Sequence, residues 1–105
     1  MELPVDRIVG SKVLDITGRV LGRVGRLVVD TESWAIGSFR LKLRRRAALD
    51  MGLRWSIFRV PTLEVPTGLV MAASDAIILR AELSDLQPLA LSDQPFSAFA
   101  TQTAH

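Results

Sequence analysis

The chain has 105 residues, 49% of them hydrophobic and 23% charged, a balance that suits one globular core and no more. It has no Cys, no Tyr and a single His at position 105, so thiol nucleophiles, Ser-His-Asp triads and Cys/His zinc sites lack their parts. The formal charge is +2, but Ser38 to Arg59 holds seven basic residues against Asp50 alone, which leaves the rest of the chain net acidic.

No apolar run exceeds the five residues Leu69 to Ala73, far below the roughly 20 that a spanning helix needs. Neither a transmembrane segment nor a signal peptide is expected, and the lack of cysteine fits a reducing, cytoplasmic setting.

In chain order, Lys12-Val13-Leu14-Asp15 reads as a strand and Asp15 to Gly18 as a turn closed by glycine. Arg19 to Asp30 follows as an extended segment with Val20, Gly22 and Val24 on one face. Gly22 and Gly25 within it predict a bulge or a close backbone approach that bends the strand. Thr31-Glu32-Ser33 has hairpin-loop length.

Ser38 to Arg44 alternates strictly. Phe39, Leu41 and Leu43 must share one face while Arg40, Lys42 and Arg44 share the other. Arg45 to Leu53 breaks the alternation and predicts a short helical turn ended by Gly52. Trp55 to Val60 reads as a strand stopped by Pro61, with Trp55 and Phe58 facing the core as Phe39 does. Thr67 to Ala73 reads as a turn or short helix with Pro66 near its start, Ser74-Asp75 as a tight turn, and Ala76 to Leu79 as the final β run. Residues 86–105 form a C-terminal extension, docked or mobile, whose handles are Leu89, Leu91, Phe96 and Phe99.

Short strands, glycine bends and little helix predict an all-β fold, a small antiparallel barrel over residues 1–85. Closure would remove the edges that an apolar sheet otherwise exposes.

Two stretches carry a family resemblance. Gly10 to Asp15, the G-x-x-L-G-x-V segment Gly18 to Val24, and Val28-Val29-Asp30 are similar in order to the opening of the PRC-barrel family. Val65-Pro66 to Val70 and Ser74-Asp75-Ala76-Ile77-Ile78-Leu79 resemble its closing pattern, with Ser74 where the family has Gly. The resemblance spans about residues 8 to 80. It implies a β-barrel used as an adaptor, as in the cytoplasmic domain of the photosynthetic reaction-centre H subunit and the C-terminal domain of a ribosome-maturation factor.

Gly18, Gly22 and Gly25 match neither phosphate-loop spacing. Asp30 with Glu32, and Glu82 with Asp85, are carboxylate pairs that acid-base chemistry could use, but Asp30 is better suited to capping its turn. No catalytic, cofactor or metal residues are assigned.

The functional candidates are the basic residues Arg40, Lys42, Arg44, Arg45 and Arg46, together with Trp34 beside the hairpin loop. Arginine's forked guanidinium suits carboxylates and phosphates alike. The expected function is a non-enzymatic adaptor that binds an acidic protein surface through the basic strand, with a homodimer as one form. The alternative is an RNA- or ribosome-associated factor.

Overall fold

The computed structural model describes residues 4–89. Its elements are α1 (Val5–Ile8), β1 (Lys12–Leu14), β2 (Val20–Asp30), β3 (Ala35–Leu43), α2 (Arg45–Asp50), β4 (Thr62–Pro66), β5 (Val70–Ala73) and β6 (Ala76–Leu79). A 3-10 turn, Thr67–Leu69, joins β4 to β5, and a 3-10 helix, Leu83–Leu89, follows β6.

The six strands form one sheet in the order β4-β3-β2-β1-β6-β5. The fold is all-β and barrel-like, with a sheet curled into a half-barrel whose ladder ends at β4 and β5. It departs from the expected antiparallel, closed arrangement in two respects: β1 and β6 run parallel, and the edge strands β4 and β5 meet only through the 3-10 turn between them.

The long β2–β3 hairpin supplies the curvature. Its register slips between Val24 and Arg26, placing a bulge at Gly25, and slips again between Val28 and Val29. Such bulges increase twist and bend the strand. A third irregularity, where β1 pairs with β2, changes the facing of side chains around Leu21. Leu21 is therefore fully buried, and Val20 joins the outer surface instead of sharing a face with Val24.

The core lies against the inner face of the sheet. Leu21, Leu41, Leu43, Leu63 and Leu79 are fully or almost fully buried, with Val13, Val24, Phe39 and Val65 between them. Ala47 and Ala48 of α2 close one side, and Leu83 and Leu86 of the 3-10 helix close another. The start of the C-terminal extension thus joins the core at Leu86 rather than running extended. Leu91, Phe96 and Phe99 lie outside the described residues.

The alternation holds from Phe39 to Arg44, with Phe39, Leu41 and Leu43 inside, while Ser38 is buried beside Phe39. Gly52 ends the α2 segment with φ of 78°. Trp55 to Val60 is not a strand. Ser56 and Arg59 make one isolated bridge around a tight turn at Ile57-Phe58, and Phe58 points to solvent with 93% of its surface exposed. The strand lies just beyond, at Thr62–Pro66, bounded by Pro61 and ending on Pro66. Proline is tolerated there because β4 is an edge strand. The segment read as turn or short helix is divided between the 3-10 turn Thr67–Leu69 and β5.

Candidate functional site: a basic groove across three strands

The basic residues of β3 meet those of other strands through register. Lys42 lies opposite Arg23 on β2, and Arg23 lies opposite Lys12 on β1. Three cations therefore form a row across the outer face of the sheet. With Arg44 they line a groove of about 420 Å³ whose other walls are Val20 and Gly22, with no acidic side chain in its lining.

Two glycines make room for Lys42. A Cβ at Gly22 would overlap the Lys42 carbonyl, so only glycine lets β2 approach β3 this closely. At Gly25 a Cβ would come within 2.9 Å of Lys42 Cγ, because the lysine's methylene stem lies across the bulge. The stem covers the backbone of the bulge, and Lys42 lines the groove beside it. Arg23 is fixed from the other side, where its Nη1 donates to the Gly10 carbonyl at 2.9 Å.

The remaining candidates divide. Arg40 is half-buried and lies opposite Glu64 of β4, with Nε 3.8 Å from the carboxylate and without a hydrogen-bond acceptor. It serves the β3–β4 pairing more than the groove. Arg44 precedes α2, and Arg45 and Arg46 occupy its first turn, all three exposed. Cations at a helix N-terminus oppose the helix dipole at a cost of about 0.3–1 kcal/mol each. At the other end of α2, the acidic Asp50 pairs with Arg19. The charges of α2 are thus reversed from those that would stabilise it.

Trp34 stands apart. It occupies the β2–β3 turn with φ of 59° and is 80% exposed, so it does not pack on the barrel end. Lys42 lies seven residues beyond Ala35 on β3, about 20 Å along the strand, and Trp34 is therefore not part of the groove.

The carboxylates are engaged locally. Asp30 Oδ1 accepts the Glu32 N–H at 2.9 Å, capping the turn. Asp85 Oδ2 accepts the Glu82 N–H at 3.3 Å, within the start of the last helix. Asp15, buried to 2% exposure, accepts the Thr17 hydroxyl and the N–H groups of Thr17, Arg19 and Leu83. Burial raises its pKa, but the hydrogen bonds from Thr17, Arg19 and Leu83 together outweigh that effect and leave it below the usual value. Asp15 borders a cleft of about 410 Å³ with Asp50 and Glu82. Among the described residues no three acidic or histidine side chains converge as a metal site.

Sequence alternation identified Lys42 and Arg44 but not their partners Lys12 and Arg23, which lie 30 and 19 residues before Lys42. The available signal was hairpin register. A β2–β3 pairing counted back from the Thr31 turn brings Arg23 opposite Lys42, because the bulge at Gly25 on β2 is offset by the irregularity at Gly37 on β3. No family model and no curated protein matches this chain.

Proposed function

We propose that this chain is a non-enzymatic, PRC-barrel-like adaptor that binds an acidic protein surface in the groove formed by Lys12, Arg23, Lys42 and Arg44. The observation that carries the reading is the cross-strand row Lys12, Arg23 and Lys42, which concentrates like charges on neighbouring strands without an acid to compensate them. Like charges placed opposite each other destabilise a sheet. A carboxylate-bearing partner removes that repulsion, so binding energy and the relief of strain have the same sign.

Association with RNA or the ribosome is the competing reading. Nothing aromatic lines the groove for bases to stack on, which favours a protein partner. The proposal places the adaptor in the cytoplasm, consistent with its lack of cysteine. No helix among the described residues is long and apolar enough to cross a membrane. The proposal also includes a homodimer. The outer edge of β5, where the ladder ends and Met71 is exposed, is available for it.

The test is capture of the tagged chain with its partners from native lysate, in nuclease-treated and untreated halves, beside the variant Lys12→Glu/Lys42→Glu/Arg44→Glu. A protein that survives nuclease and is lost by the triple variant, with the variant melting no lower than the wild type, supports the reading. Retained capture by the triple variant refutes it, and loss of all partners on nuclease treatment transfers the groove to RNA. Light scattering of the purified chain reads the dimer directly.

A further inference from the structure

Among the described residues, the turn at residues 56–59 presents the two most exposed large aliphatic and aromatic side chains outside the β2–β3 turn, Ile57 at 76% and Phe58 at 93%. A soluble surface tolerates single exposed apolar residues, but two at the tip of a protruding turn form a wedge. The turn is closed by hydrogen bonds. Ser56 and Arg59 exchange both backbone hydrogen bonds at 3.1 Å, and the Phe58 N–H donates to Ser56 Oγ at 3.3 Å. Below the tip, Trp55 is half-buried against the core and donates Nε1–H to the Leu43 carbonyl at 3.2 Å. The apolar tip therefore projects from a fixed base and does not fold back onto the core.

Arg54 and Arg59 flank this tip, both exposed, and Leu49 of α2, half exposed, borders the same recess. Asp50, the one acid between Arg40 and Arg59, is paired with Arg19. An exposed apolar tip between two cations matches a target that is apolar within and anionic at its surface. A protein interface would instead need a broad complementary patch around the tip.

We propose that the Ile57-Phe58 turn inserts into the headgroup boundary of an anionic bilayer, with Arg54 and Arg59 binding lipid phosphates and carboxylates. The chain then lies on the membrane surface by this loop while the basic groove remains a separate feature. Amphipathic anchoring of this kind combines apolar burial with attraction to anionic lipid.

The experiment is sedimentation of the full chain with vesicles of phosphatidylcholine alone or mixed with phosphatidylserine. The wild-type chain is expected to pellet with the mixed vesicles. Ile57→Ser/Phe58→Ser should lower its partition coefficient about tenfold or more, since two apolar side chains no longer enter the interface. Arg54→Glu and Arg59→Glu should each lower it about fivefold or more. All four side chains are exposed, and unchanged thermal melts would verify that the variants fold.

Insertion is read separately with Phe58→Trp in a Trp34→Phe background, as the difference from the Trp34→Phe chain, in which Trp55 alone emits. The added emission should shift to the blue on vesicles and be quenched by brominated lipid. The proposal is overturned if the wild-type chain stays in the supernatant, if the double serine variant pellets like wild type, or if brominated lipid leaves the new tryptophan unquenched. It is equally overturned if the loop variants lose RNA or protein binding while no vesicle binding exists to lose.

Discussion

Asp15 shows how one buried carboxylate joins distant parts of a chain. Its Oδ1 gathers the turn after β1, while its Oδ2 receives the Leu83 N–H from 68 residues away. Asn at this position offers one acceptor oxygen and turns an N–H2 toward a backbone donor. Asp15→Asn should therefore cost about 1–3 kcal/mol in urea denaturation. Because the folded pKa lies below the unfolded one, the ionised group's contribution is full above about pH 3.9 and is lost as pH falls through the folded pKa. Urea midpoints of the wild type should fall over that acid range, and the Asn variant should lack this component of the decline. Sequence marked Asp15 as a turn residue because Asp and Gly bracket a tetrapeptide. It could not show the bond to Leu83, which exists only once β6 has paired with β1.

Among the elements, α2 separates stability from binding. Its first turn carries Arg45 and Arg46 where the helix dipole favours acids. Arg45→Glu should therefore raise stability by about 0.3–1 kcal/mol while weakening the partner captured through the neighbouring groove. Thermal melts and binding titrations of one variant would then move in opposite directions, which a purely structural role for the arginine does not predict. The strands show what was legible and what was not. Phe39, Leu41 and Leu43 declared their face by alternation because β3 has a dry side and a wet side. Trp55 to Val60 has the composition of a strand, yet the Ser56–Arg59 bridge turns it back on itself within four residues. Of its two aromatics read as core, Trp55 packs half-buried against the core and Phe58 faces solvent. Thr62–Pro66 was hidden by the prolines at its ends, which an edge position accommodates.

For the whole molecule, the barrel-like fold was legible from strand and turn punctuation, but the groove was not, since its four cations come from three strands and the junction before α2. Gly22 and Gly25 signalled a close approach without naming Lys42 as the group that approaches. The core also extends further than the strands. Leu86, fully buried after the last strand, should make Leu86→Ala cost about 2–5 kcal/mol, as large as truncating a strand leucine such as Leu63. A denaturation midpoint close to that of the wild type would instead mean that the last helix is ornamental to the sheet.

The parallel pairing of β1 with β6 governs the order in which the chain can be made. Val13 meets Ile77 across that pair, so one side of the first strand has no partner until nearly three-quarters of the chain has been synthesised. During translation the β2–β3 hairpin can form early, whereas β1 waits with an open apolar edge. Folding that depends on so distant a pairing belongs to the slow, millisecond-to-second class. A ribosome paused before Ala76 therefore holds a sheet that a chaperone or a neighbouring nascent chain can join before β6 does.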